Sequence, residues 1–192
     1  MADKTIHSII LIGLKHSGKS TMGKLLAQKL DTTFYDTDDV IQEISGLSPR
    51  QLFAKKGPAT FMTVEEEACR KVISKIGDKP VVIATGGGIC DNAPALNELQ
   101  SVGSFLFLKL NMEYSIKRIE DKIEKDEFGE FKNMPSYVAV HNPKNMMQIH
   151  QILTDKFTER FSLYESIADK TVLLKNAPIE VNFKAITEAL NL

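Results

Sequence analysis

Apolar and polar positions along the chain switch repeatedly between two periods. Ser8-Ile9-Ile10-Leu11-Ile12 is a continuous β-branched apolar run, the pattern of a strand buried on both faces. Met22, Leu25, Leu26 and Leu30 then recur at helical spacing. Thr33-Phe34-Tyr35 reads as a short strand running into Asp36-Thr37-Asp38-Asp39, and residues 40–45 and 49–56 read as short helices. Phe61, Val64, Ala68, Val72, Ile73 and Ile76 mark one face of a longer helix. Pro80-Val81-Val82-Ile83-Ala84-Thr85 predicts a second buried strand, which runs directly into Gly86-Gly87-Gly88. The alternation continues with a helix near residues 95–100, a strand over 104–108 and a helix over 112–123. Ile149, Leu153, Phe157, Phe161 and Tyr164 give another helical face, residues 171–174 the last strand, and Ile179, Phe183, Ile186 and Leu190 the last helix. Strand and helix in alternation predict an α/β fold with a parallel sheet. Periodicity fails only in residues 122–143, which are charged and carry Gly129, Pro135 and Pro143; that segment is expected to be a lid or disordered.

The junction between the first strand and the first helix carries Gly13-Leu14-Lys15-His16-Ser17-Gly18-Lys19-Ser20, the phosphate-loop pattern G-x-x-x-x-G-K-[ST]. A loop of this kind aims backbone N–H groups and a helix N-terminus at one anion, so the chain is expected to bind a nucleoside triphosphate. Gly13, Lys15, His16, Ser17, Gly18, Lys19, Ser20 and Thr21 form the candidate nucleotide site. Lys19 would reach the β- and γ-phosphates, and the Ser20 hydroxyl would take a Mg²⁺ ligand position. Lys15 adds charge on a loop residue, and His16 is expected to titrate near neutral pH.

Composition narrows the classes. The 192 residues suit one domain, and 24 Lys+Arg against 25 Asp+Glu leave a net charge of −1, so no nucleic-acid partner is expected. Cys69 and Cys90 lie far apart without a His at metal-ligand spacing and read as buried hydrophobes in a reduced compartment. No apolar run reaches the roughly 18 residues of a membrane span, and no signal peptide pattern opens the chain. The expectation is a cytoplasmic protein without a membrane partner, monomeric or weakly dimeric.

A phosphate loop does not by itself separate a small-molecule kinase from a GTPase or a motor. Asp36 and Asp38, one residue apart at the end of the second strand, can both face the crevice beside the loop. One suits the Mg²⁺ shell, and the other can orient or deprotonate an acceptor hydroxyl. The glycine triplet would let backbone N–H groups approach a ligand closely.

Taken together, Gly13 to Ser20, Asp36-Thr37-Asp38, Phe61 with Glu65, Gly86-Gly87-Gly88 and Arg160-Phe161-Ser162-Leu163-Tyr164 resemble the shikimate kinase family in order and spacing, over nearly the whole chain. The resemblance implies a three-layer P-loop NTPase fold, nucleoside-monophosphate-kinase-like, with a five-stranded parallel sheet, helices on both faces and a lid near residues 122–143. It implies ATP and Mg²⁺ as cofactors and a small hydroxylated molecule as phosphoryl acceptor. Carried over by position, Lys19 and Asp38 would be catalytic, Ser20 and Asp36 would hold the metal, and Arg118 would stack on adenine. Asp38, Met62, Glu65, Gly86, Gly87, Gly88 and Glu165 would line the substrate site.

The sequence departs from the family pattern at three arginines. Met62 stands in the arginine position of the F-R-x-x-E element, Tyr164 is followed by Glu165, and no arginine lies between Arg118 and Arg160. Each lost charge-assisted hydrogen bond to a carboxylate costs about 1.5–3 kcal/mol. Two such losses imply roughly 10²–10⁴ in affinity, and Glu165 would add repulsion. The expectation is an ATP-dependent phosphotransferase of shikimate kinase type whose acceptor is shikimate or, as the missing arginines favour, a related molecule. The competing readings are a nucleotide-binding relative without that activity and a kinase of a nucleotide or sugar-like polyol.

Overall fold

The computed structural model describes residues 7–192. In chain order its elements are β1 (Ser8–Ile12), α1 (Lys19–Lys29), β2 (Phe34–Asp36), α2 (Thr37–Ser45), α3 (Pro49–Ser74), β3 (Val82–Ala84), α4 (Ala93–Gln100), β4 (Gly103–Leu110), α5 (Met112–Glu120), β5 (Glu124–Lys125), β6 (Phe131–Lys132), α6 (Ser136–Ala139), α7 (Met146–Ile167), β7 (Lys170–Leu174) and α8 (Ile179–Leu190). The five long-range strands form one sheet in the order β2-β3-β1-β4-β7, and every pair in it is parallel. The expected α/β architecture with a five-stranded parallel sheet is therefore present.

Successive residues of a strand face opposite sides of the sheet, and β1 divides its apolar run accordingly. Ile10 and Ile12 enter a core shared with Ile41, Val72, Leu99, Phe107, Leu153 and Tyr164 from the helices and strands of one layer. Leu11 enters the other, with Leu26 of α1, Val82, Leu106, Val172 and Ile186 of α8. Burial on both sides is why the central strand is apolar throughout. It also leaves only the carboxyl ends of the strands open for ligands.

One local feature bears out the sequence expectation and two differ from it. The short helix over residues 49–56 and the longer one after it are distinct segments of α3, parted where the backbone leaves helical geometry at Gly57 (φ 82, ψ 171), followed by Pro58. Proline has no N–H to donate and its ring opposes the preceding turn, so both residues mark the bend. A single 3-10 turn, Ile89–Asp91, joins the glycine triplet to α4. Finally, residues 122–143 contain the antiparallel pair β5-β6 and the short helix α6, whose Val138 is fully buried. Such pieces leave no periodic signal, because a two-residue strand and a four-residue helix span about one period each and never repeat it.

Candidate functional site

The site grows from the β1-α1 junction. Gly18 takes the left-handed conformation (φ 90, ψ 14) and caps α1, a turn that a side chain would strain. Lys19, the first residue of α1, is buried, and its Nζ donates to the carbonyls of Gly13 at 2.8 Å and Leu14 at 2.9 Å. The ammonium thus stays inside the curl of the loop where phosphates would sit. Burial lowers its pKa to about 8, against the opposing pull of Asp38 and Asp36.

The acidic pair is arranged differently from a strand end with two free carboxylates. Asp36 ends β2 and caps α2, with its Oδ1 accepting from the Asp38 backbone N–H at 3.0 Å. Its Oδ2 accepts from the Ser20 hydroxyl at 2.5 Å. Asp38 lies in the first turn of α2, so a helix start rather than strand alternation aims it at the loop. Burial, and next the charge of Asp36, push its carboxyl up to about 6 although Lys19 pulls it down.

Two cavities meet here. One, of about 440 Å³, is bounded by Lys15, His16, Gly18, Lys19, Ser20, Thr21 and Arg118. Arg118, on α5, donates to the His16 carbonyl at 2.7 Å, which ties the far wall of this cavity to the loop. The expectation that His16 titrates near neutral pH is corrected. Burial together with Lys122, Lys15, Lys19 and Arg118 lowers its pKa to about 4, so the ring is neutral at physiological pH.

The second cavity, of about 390 Å³, lies beyond Asp38. Met62, Glu65, Gly86, Gly87 and Gly88 line it, as do Arg50, Tyr137, Lys156 and Arg160, which sequence reasoning had not assigned. Glu65 is 1 % exposed; its Oε2 accepts from the Asn92 side chain at 2.9 Å, while its Oε1 has no partner. Burial pushes this carboxyl up to about 7. The Tyr137 hydroxyl is likewise buried and unpartnered. Both residues line the cavity, and since the two orphaned atoms are themselves closed to solvent, a ligand bearing hydroxyls would satisfy them once the side chains turn toward it.

Arg160 also lines this cavity, with 7 % exposure. Its Nη2 donates to Asp91 Oδ2 at 2.8 Å and its Nη1 to the Gly87 carbonyl at 3.1 Å, and its guanidinium lies 5.0 Å from the centre of the Tyr137 ring. A Cβ on Gly88 would stand 2.8 Å from Nη2, so the triplet's missing side chains make room for this arginine. The signal for it was in the Arg160-Phe161-Ser162-Leu163-Tyr164 element, read from sequence as a match in spacing and not as a charge in the site. Arg50 carried no signal, since only the bend of α3 brings its first turn to the wall that also holds Met62.

The expectation for Glu165 is corrected. Its neighbour Tyr164 is fully buried in the core, and the next helical position turns about 100° away from it, so Glu165 lies on the outer face of α7 and pairs with Lys109. The expected shortage of positive charge is corrected with it. Lys15, Arg50, Lys156 and Arg160 line the cavity against Asp38, Glu65 and Asp91, and two of those three acids have raised pKa values. Its balance favours an anionic ligand.

A larger hollow, about 690 Å³, lies between α1 and α8 around Lys24, Ile179 and Phe183, and meets the loop only at Ser20 and Thr21. Among the described residues no cluster of three or more His, Cys, Asp or Glu side chains could hold a metal alone, and no helix is long and apolar enough to cross a membrane.

Comparison with known proteins gives a consistent result. The family model described as shikimate kinase matches residues 15–191. The shikimate kinase of Aquifex aeolicus is 41% identical over 130 residues, covering 66% of this chain and 76% of that protein. That of Buchnera aphidicola subsp. Baizongia pistaciae is 30% identical over 184 residues, 96% of each. Among solved structures, shikimate kinase from Acinetobacter baumannii in complex with shikimate superposes with a TM-score of 0.75 at 28% identity, over 98% of this chain and 95% of that one. The Aquifex aeolicus structure gives a TM-score of 0.68 at 33% identity, over 96% of each chain.

Proposed function

Because the chain belongs to the shikimate kinase family and is a small-molecule kinase, we propose that it transfers the γ-phosphoryl group of ATP to a hydroxyl of shikimate. The observation that carries this reading is the cavity shared by Lys15, Asp38, Arg50, Lys156 and Arg160, whose lining residues Glu65 and Tyr137 each keep an unpartnered oxygen. An acid, hydroxyl partners and a guanidinium around one cavity suit a hydroxylated carboxylic acid better than a neutral polyol.

ATP occupies the cavity at the loop, with Lys19 neutralising its phosphates and Arg118 beside its base. The Ser20 hydroxyl and the Asp36 carboxylate offer hard oxygen donors side by side, a set that fits Mg²⁺ with its remaining positions left to water and phosphate. Bound there, the ion would offset charge on the β- and γ-phosphates. Asp38 receives the proton of the attacking hydroxyl, and the glycine triplet holds the acceptor close to it. Residues 122–143 close over the site as a lid, with Met134 and Tyr137 already on the cavity wall.

The test is ADP release with shikimate, set against its methyl ester, which lacks the carboxylate charge. Arg160→Met is expected to raise the KM for shikimate by about 10–100-fold, the loss of one charge-assisted bond, while leaving the ester little changed. Tight ATP binding without turnover of shikimate would overturn the proposal and leave a nucleotide-binding relative without that activity.

The pH profile follows from two groups. Asp38 must be ionised to take a proton, and its pKa of about 6 sets the acid limb. Lys19 must be protonated to neutralise phosphate, and its pKa of about 8 sets the alkaline limb. The expected kcat/KM curve is a bell between these values, falling below the first and above the second. A flat profile from pH 5 to 9 would remove both assignments.

A further inference from the structure

Lys15 is a loop residue, its side chain reaching solvent but its ammonium partly shielded at the cavity edge, with no part in the steps above, yet its position is unusual. Among the residues lining the two cavities, only Lys15, Asp38 and Gly87 face both. They therefore mark the passage through which a phosphoryl group must move. The two backbones approach closely at this point: a Cβ on Gly87 would lie 2.6 Å from the Lys15 N and 2.9 Å from its Cα. Loop and triplet are in contact, and the lysine is presented at their seam.

The electrostatic setting is equally specific. Among the described residues Lys15 forms no ion pair, although Lys109, Lys132 and Lys156 each have an acid within 4 Å. Partial burial and the nearby cations Arg50 and Lys122 lower its pKa, and Asp38 is the one acid that pulls the other way. A lysine amid like charges, at the edge of two cavities, has its charge available to an anion that arrives between them. The segment from Arg118 to Arg160 contains no arginine, so none from there can meet the group in transit.

We propose that Lys15 is a catalytic residue, a second phosphoryl-binding lysine that contacts the γ-phosphoryl group during its transfer. This rests on the kinase reading above. In that step the acceptor oxygen bonds to the γ-phosphorus, and the bond from phosphorus to the β,γ-bridging oxygen breaks. ADP leaves with the electron pair and the hydroxyl proton passes to Asp38. Lys15 makes and breaks no covalent bond; its ammonium offsets charge on the equatorial oxygens, and so acts mainly on the transition state.

The test compares wild type, Lys15→Met and Lys15→Arg for kcat, for the KM of shikimate, for ATP affinity, and for trapping of ADP with aluminium fluoride and shikimate, a mimic of the transferring group. Lys15→Met is expected to lower kcat and trapping together by about 10²-fold, with the KM of shikimate and ATP affinity within about threefold. Lys15→Arg should recover most of the rate, because it keeps the charge. Thermal melting of Lys15→Met should match wild type, since Gly87 packs on the backbone and not on the removed ammonium. Unchanged kcat and trapping would overturn the proposal and leave a solvated loop lysine. ATP affinity falling by the same factor as kcat would also overturn it, as a ground-state nucleotide contact. Wild-type protein that neither turns over shikimate nor traps the mimic would defeat the kinase reading and this one with it. Normal wild-type turnover that survives Lys15→Met defeats only the role of Lys15.

Discussion

Lys19→Ala is expected to lower kcat by about 10³-fold and to weaken ATP binding. In the free protein the ammonium is buried and held by the Gly13 and Leu14 carbonyls, a position that keeps it under the loop before nucleotide arrives. Its burial has depressed its pKa to about 8, and a bound triphosphate would raise it again by supplying negative charge. That gain is lost entirely in the alanine variant. The two carbonyls lose their donor as well, so a small fall in melting temperature should accompany the loss of rate. Steady-state kinetics and nucleotide titration measure both effects, and turnover at the wild-type rate would remove Lys19 from the mechanism.

Asp38→Asn separates chemistry from binding. It should reduce kcat by about 10²–10⁴-fold, the range for loss of a general base, with ATP affinity nearly unchanged. The acid limb of the pH profile near 6 should vanish, because the group that produced it no longer titrates. The alkaline limb should move below about 8, since the Asp38 charge now helps keep Lys19 protonated. Neutral Asn preserves the shape of the side chain, so a collapse of ATP affinity equal to the loss of rate would mean that Asp38 serves the metal shell instead of the acceptor hydroxyl.

The acceptor half of the site shows why charge counting along a sequence can mislead. Met62, in an arginine's expected place, does line the cavity. What it predicts about ligand charge depends on every other side chain that reaches the same space. Arg50 arrives from twelve positions earlier across the bend at Gly57, and Arg160 from α7, while Glu165 turns outward. The sign of the cavity is thus a sum over five parts of the chain: the loop after β1, α2, α3, the 3-10 turn and α7.

Some features of this protein are local, and its sequence determined them. An apolar strand, a glycine-lysine-serine loop and an amphipathic helix specify a phosphate site within one β-α unit, because backbone conformation and helix start are set by neighbouring residues. The three inner strands, β1, β3 and β4, were legible for the same reason, since burial on both faces leaves a nearly uninterrupted apolar signature, whereas the edge strands β2 and β7 are only partly buried and left shorter runs. Tertiary structure decided what depends on distance between elements. It left the half-buried Asp38 carboxyl within reach of the charge of Lys19, lowered the pKa of His16 by partly burying it among cations, and gave residues 122–143 a hairpin and a buried Val138. It also gathered Lys15, Arg50, Lys156 and Arg160 around one cavity. Electrostatic and desolvation effects act through space, so residues far apart in the chain fix the charge and chemistry of a site that no single stretch of sequence encodes.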